Sequence, residues 1–473
     1  MSDGAAGSSP PPDVRSRAQL TGDELAEKRE GVRAATDAGP IAPSESSDEV
    51  RAFYESHPYP APLDNLDRHR ELYRNPDRRR AASLLLWPTE RRRPDRKILV
   101  AGCGTSQVVI HAMREPEASV MGIDISETSL DHSRELQRKY GLKNLTLERL
   151  AIEEAGSLGR LFDEIVCTGV LHHLPDPDLG LRALRAALAQ DGALHIMVYA
   201  AYGRAGVYMM QDYCRLLGVR ANEAELRDLG AVIGALPRDH PIAAVANRAR
   251  DLRQPDALAD ALLNPNDRAF TVPELYAWLG RCGLKFARWH GQGPYLPQCG
   301  AIAAMPHAAR LAGLPAPAQH TAVELLRGTM TRHDFIAYRD DRPGESQPIA
   351  FDGEGWLDYV PMRLPWALVV RERLPAGAAA VLINRAHAYP DLALPINAAQ
   401  DRVLAAIDGE RTVDEILRGA AGTAGLDQGR EFIERLWRYD QIVFDATGAG
   451  RKSSPAGKRM LGGDDIQRWT SGH

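Results

Sequence analysis

The chain has 473 residues, 44% of them apolar and 26% charged, with 58 basic and 63 acidic side chains that leave a net charge of −5. That composition supports a sizeable core and excludes a mostly disordered chain; the near balance of charge excludes capture of nucleic acid or membrane by bulk electrostatics. At about 150 residues per domain, the length suggests roughly three units.

Residues 1–48 are rich in Ala, Ser, Pro, Gly and Asp and read as a disordered tail, with a short helix possible near 22–36. The first residues, MSDGAAGSSPPPDV, carry no apolar signal region, and no apolar run nears the ~18 residues of a spanning helix. The five cysteines, Cys103, Cys167, Cys214, Cys282 and Cys299, are odd in number and form no CxxC pair. They exclude a disulfide framework and a cysteine zinc site and fit a reducing compartment. The expected location is therefore cytoplasmic, with no membrane contact.

Residues 49–96 read as a helical lid. Its segment Phe53-Tyr54-Glu55-Ser56-His57-Pro58-Tyr59-Pro60 is stiff and aromatic. Tyr54 and Tyr59 stand in it, and one reading of both is packing on the first helix. Between Arg68 and Lys97 stand eleven basic and four acidic residues, a local charge of +7. The preferred reading is a solvated helix face; attraction of an anion or RNA is the alternative.

From Lys97 to Tyr199 strand-like runs alternate with helical periods, the signature of a parallel sheet. Ile98-Leu99-Val100-Ala101 runs into Gly102-Cys103-Gly104-Thr105-Ser106, with Thr105 or Ser106 as the helix cap. Glycines at such a turn let a ligand approach the backbone and face the helix N–H groups. A second strand, Ser119–Ile123, ends at Asp124, where a carboxylate can bind both hydroxyls of a ribose. Position 107 holds Gln where a dinucleotide fingerprint places its third Gly. The fourth strand starts at Phe162 and leaves through His172-His173-Leu174-Pro175-Asp176-Pro177, where Asp176 caps a helix begun by Pro177.

The blocks AGCGT, GIDIS, FDEIVCTGVLHHLPDP and the strand ending HIMVYA resemble the class I S-adenosylmethionine-dependent methyltransferases with a type 11/12-like core. The resemblance is strong over about 97–200 and looser to 340. It implies an α/β, doubly wound Rossmann-like sheet of seven strands, the sixth at Leu284–His290 and the antiparallel seventh at His333–Arg339. A helical insertion falls at about 200–282. The resemblance further implies that the turn Ala101, Gly102, Cys103, Gly104 holds the cofactor's methionine end. By the same resemblance Asp124 holds the ribose, Ile125 and Ile152 the adenine, and Thr168 and Gly169 the sulfonium. The chain departs from the family at Val100 and Ala151, where acids are common, and at Ser106, where a Gly is common.

His172 and His173 are the general-base candidates; their other reading is to orient the loop through hydrogen bonds. No third ligand stands at metal spacing from them, so no metal site is expected. In similar methyltransferases a stretch like 53–60 covers the cofactor cleft, which makes Tyr54 and Tyr59 lid candidates, and Tyr199, Tyr202 and Tyr295 lie on loops where members of that family often contact the acceptor. A small metabolite is the first-choice acceptor and a peptide or protein the second. A nicotinamide oxidoreductase and a non-catalytic adaptor remain as alternatives.

Residues 349–446 read as a separate small α+β unit. Helix Ala399–Ile407, a DGxxT turn, a Thr412/Glu415 capping box, a helix at Arg430–Arg438 and the strand Gln441–Phe444 resemble the winged-helix peptide chaperone of pyrroloquinoline-quinone biosynthesis. Six basic and ten acidic residues between 397 and 446 oppose phosphate binding, so a peptide partner or a docking role is preferred over nucleic acid. Residues 447–473 read as a second disordered tail.

Overall fold

The computed structural model describes residues 43–58, 60–90, 93–248, 252, 254–343, 349–420 and 426–448. Tyr59 and most of both expected tails lie outside these residues. The first helix, α1 (Pro43–Ser56), starts inside the expected N-terminal tail and runs into the lid. It is followed by α2 (Asp67–Arg74) and α3 (Pro76–Leu86), the latter capped by Asn75 and begun by Pro76.

The central sheet contains β1 (Lys97–Ala101), β2 (Ser119–Asp124), β3 (Leu145–Arg149), β4 (Phe162–Thr168), β5 (Leu188–Tyr199), β6 (Leu284–Trp289) and β7 (Arg332–Arg339). Their order is β3-β2-β1-β4-β5-β7-β6. The pairings β1–β2, β2–β3, β1–β4 and β4–β5 are parallel, and β7 runs antiparallel to both β5 and β6. The seven-stranded α/β sheet with an antiparallel seventh strand is as expected. Strand β5 begins earlier than expected, at Leu188 rather than Ala193. Phe162 pairs with Leu188 while Glu164 pairs with Ala193, so the extra residues bulge out of the ladder.

Period-two alternation divides β1 between the two sheet faces. Leu99 packs with Ile123, Leu181, Leu184 and Trp278. Ile98 and Val100 pack with Val108, Val109 and Leu130 on the other face. Thus α6 (Pro177–Ala187) and α11 (Val272–Arg281) cover one side, and α4 (Gln107–Arg114) and α5 (Glu127–Tyr140) the other. The helices between them, α7 (Ala205–Leu217), α8 (Glu223–Ala235), α9 (Pro241–Arg248) and α10 (Pro255–Leu263), form the insertion. They bury their own cluster around Val207, Leu229 and Leu258.

The basic run is largely paired. Arg93 meets Asp163 and Asp191, and Arg80 meets Asp445. Arg96 departs furthest from a solvated face. It is 3% exposed, lies 3.5 Å from both Glu115 and Glu164, and stacks 4.7 Å from the Trp87 ring. Arg114 completes this network at 3.0 Å from Glu164.

Between β6 and β7 come two further helices, α12 (Ala308–Ala312) and α13 (Ala316–Arg327), and after β7 the C-terminal segment. There α14 (Ala398–Ala405), α15 (Val413–Ala420), α16 (Leu426–Arg438) and β12 (Ile442–Asp445) follow the expected order. Thr412 and Glu415 form the expected reciprocal bonds. Four strands were not foreseen. β8 (Val360–Arg363) pairs with β12, and β9 (Ala367–Val370), β10 (Ala380–Asn384) and β11 (Leu394–Ile396) form a three-stranded antiparallel sheet. The segment has its own core around Leu382, Ile416 and Phe432. It also shares one with the central sheet, where Met362 and Val443 meet Leu85 and Ile336.

Removing one charge from a buried ion network leaves the others desolvated and unpaired. Glu164→Gln is therefore expected to lower stability by roughly 3 kcal/mol, read from urea unfolding; a loss below about 1 kcal/mol would show that Glu115 suffices for both arginines.

Candidate active site

Gly102 and Gly104 both have positive φ, 65° and 55°, at the turn from β1 into α4. A Cβ on Gly102 would lie 2.5 Å from Val170, so no side chain fits there. Asp124, at the end of β2, accepts N–H bonds from Gly104 at 2.8 Å and Ser126 at 2.9 Å. Burial raises the Asp124 carboxyl above its ordinary pKa by more than these hydrogen bonds lower it. The expected cap does not form: Ser106 occupies the cap position without a side-chain bond, and Thr105 instead donates to the Pro60 carbonyl at 2.9 Å.

This turn opens into a cavity of about 1050 Å³. Of the expected cofactor residues, Gly102, Cys103, Gly104, Asp124, Ile125, Ile152, Thr168 and Gly169 line it. Ala101 does not; it is fully buried in the strand core. Tyr54, Tyr199 and Tyr295 also line the cavity. Tyr202 does not join the lining; it is 44% exposed to solvent after β5.

The two histidines sit on one 3₁₀ turn, Leu171–His173, and take different sides of it. His173 lines the cavity, with Nδ1 2.6 Å from the Asn266 carbonyl. A carbonyl only accepts, so that bond assigns a proton to Nδ1. His172 is fully buried behind it, its ring tilted by 38° against the Tyr199 ring at 3.8 Å. Burial, with His173 and Arg204 nearby, holds the His172 pKa well below its ordinary value, so the ring stays neutral.

The roof of the cavity was not legible. Asp260, on α10 and 2% exposed, accepts hydrogen bonds from the Tyr54 hydroxyl at 2.8 Å and the Tyr199 hydroxyl at 3.3 Å. His173 Nε2 lies 3.9 Å from the same carboxylate. Burial, with Asp260 adjoining, pushes the Tyr54 hydroxyl well above its ordinary pKa, so it remains protonated and donating. Arg204 stacks on Tyr199 at 3.5 Å and pairs with Asp267 at 2.7 Å. Three further residues outside the expected set, His195 on β5, His290 after β6 and Asp334 on β7, meet at another wall, where no metal ligands were expected. They are dispersed along the sequence, and no local spacing marks them.

The lid is tied across the cavity at both ends. His57 bonds Asp256 at 3.2 Å and the Ala221 carbonyl at 3.0 Å in the insertion. Glu55 accepts the N–H groups of Glu127 at 2.7 Å and Thr128 at 3.2 Å, where α5 begins. Burial raises the Glu55 carboxyl, but the Thr128 hydroxyl and these two N–H groups outweigh it and hold it below its ordinary pKa.

Residues 99–194 match the family model of the methyltransferase domain. An uncharacterised protein of Synechococcus sp. is 31% identical over 257 residues, which is 52% of this chain and 61% of that protein. A ubiquinone biosynthesis O-methyltransferase of Bordetella avium is 37% identical over 101 residues, which is 20% of this chain and 39% of the enzyme. The chain thus spans less than two thirds of the length of these relatives. Among solved structures, PKMT2 from Rickettsia typhi in complex with AdoHcy superposes with a TM-score of 0.57 at 13% identity, over 79% of this chain and 75% of that chain. At that identity the likeness is one of fold. Among the described residues no helix is long and apolar enough to cross a membrane.

Because the folded pKa of Glu55 is depressed, its stabilisation is present above the unfolded carboxylate pKa and is lost as pH falls through the folded one. Glu55→Gln should cost about 1 kcal/mol at neutral pH and flatten the acid side of the stability profile. Thermal melts of both proteins from neutral to acid pH check this; parallel curves would refute it.

Proposed function

We propose that this protein, whose residues 99–194 match a methyltransferase domain, transfers a methyl group from S-adenosylmethionine to a small-molecule acceptor. One observation carries the reading. The glycine turn, Asp124 and Gly169 open into one cavity whose roof is built from Tyr54, Tyr199, His173 and Asp260. Donor crevice and acceptor space are therefore continuous.

The residues present fit the nucleoside. Backbone N–H groups fix the Asp124 carboxylate, and lone pairs remain on both oxygens for a pair of ribose hydroxyls. Ile125, Leu150 and Ile152 supply an apolar wall for a purine. Gly169 has a φ of 82°, which favours glycine, and a Cβ there would meet the Met197 methyl at an ordinary 3.5 Å. When bound, S-adenosylmethionine supplies an electrophilic methyl group on a sulfonium. The protein's part is to align the acceptor and exclude water, and proximity of this kind can lower a barrier by up to ~7–11 kcal/mol. The buried Asp260–Tyr54–Tyr199 cluster supports that role by holding lid, sheet and insertion together. His173 is the histidine placed to take a proton, through Nε2; His172, buried behind it, positions the loop.

A second reading, a peptide acceptor held by the C-terminal segment, is favoured by the far end of the cavity. Trp366, Asn384, His387 and Tyr389 of that segment line it. We read α14–α16 and β12 as winged-helix-like on their order alone.

Asp124→Ala should weaken S-adenosylhomocysteine binding by ~1–3 kcal/mol, the worth of a charged hydrogen bond. Isothermal calorimetry checks it, and an unchanged affinity overturns the ribose assignment. Incubation of cell extract with methyl-labelled cofactor should place label in metabolites rather than in protein-sized species. A thermal shift by NADH and none by S-adenosylhomocysteine would replace the reading with an oxidoreductase.

A further inference from the structure

We propose that His195, His290 and Asp334 form a binding site for one divalent transition-metal ion on the cavity wall. Their ligand atoms lie within 4.8 Å of one another, and the group is the one such cluster among the described residues. His195 Nε2 lies 2.7 Å from one Asp334 oxygen, and His290 Nδ1 lies 4.0 Å from the other. Ligands about 2.0–2.2 Å from a tetrahedral ion stand roughly 3.3–3.6 Å apart. Small side-chain rotations bring these atoms to that spacing.

The supports are rigid. Met197 pairs with Asp334 and His195 with Ile336 across β5 and β7, so His195 and Asp334 project from the same face of adjacent strands. His290 leaves β6 with its backbone N–H bonded to the Asp334 carbonyl at 2.9 Å. The two imidazoles stack with 14° between their planes at 4.7 Å, so one ring must turn before both nitrogens face a single ion. Two imidazoles and one carboxylate favour a borderline ion such as Zn²⁺ or Co²⁺ over Mg²⁺, Ca²⁺ or Mn²⁺. Three protein ligands leave a further coordination position, and His290 and Asp334 line the cavity, so that position faces its interior.

The location gives the ion a task, and this part rests on the methyl-transfer reading. Met197, opposite Asp334 in the register, is the side chain that a Cβ at Gly169 would meet. A hydroxyl or thiol acceptor that binds the ion loses its proton to solvent at neutral pH, because a cation lowers the pKa of a bound donor. The freed lone pair on oxygen or sulfur forms the new bond to the methyl carbon. The carbon–sulfonium bond breaks, and its electron pair stays on the donor sulfur as a neutral thioether. The acceptor class is thus an alcohol, phenol or thiol.

The test titrates the chelator-treated full chain with Co²⁺ alone, followed by visible d–d absorption, and with Zn²⁺ alone, followed by metal analysis after dialysis. The expected result is one equivalent per chain and a raised melting temperature. Asp334→Asn and His290→Gln should each weaken binding at least about tenfold, with unchanged circular dichroism. If a variant misfolds, the wild-type stoichiometry and melting shift still decide. Less than about a tenth of an equivalent in the wild type, or undiminished binding in both folded variants, overturns the site. S-adenosylhomocysteine binding is measured on the same samples. Nucleoside binding without metal binding removes this inference and leaves the function standing; metal binding without nucleoside binding does the reverse.

Discussion

The structure depends on a reversal of strand order. From β1 the chain crosses to β2 and then β3 on one side, and it returns to place β4 on the other. The connections leaving β1 and β4 diverge, so neither connection covers the carboxyl ends of these strands, and a crevice follows from topology. Its floor is set by sterics. Gly102 must carry no side chain because Val170 fills the space a Cβ would need. Asp124 then fastens the turn by accepting the Gly104 N–H.

A crevice alone does not exclude water. The lid and the insertion do that, and they are held by polar bonds more than by a shared apolar core. Tyr54 and Tyr199 converge on the buried Asp260, His57 reaches Asp256, and Glu55 closes the start of α5. Burying a carboxylate such as Asp260 is costly without partners, and its hydrogen bonds offset that cost. The same bonds make the roof specific, since each fails if lid and insertion shift by an ångström or two.

Much of the central sheet was legible because its strands are buried on both faces and read as apolar runs, from Ile98–Ala101 to Phe162–Cys167. The caps at Asp176 and Thr412 were legible because side chain and backbone partners lie within three residues. Strands β8–β11 escaped notice: each spans three to five residues, too few for a period to register. Arg96 sat in a basic run with nothing local to mark it as buried; its acidic partners lie on α4's exit and on β4.

Local chemistry therefore determined one half of the cavity: the glycine turn, the carboxylate at the end of β2 and the strands that carry them. Short-range sterics and hydrogen bonding leave periodic traces that can be read without coordinates. Tertiary structure alone decided the other half. Asp260 became the keystone of the roof, His173 rather than His172 came to face the cavity, and His195, His290 and Asp334 were drawn together. Those outcomes depend on antiparallel register and on helices packing across the sheet, and contacts between residues far apart in the chain leave no spacing to read.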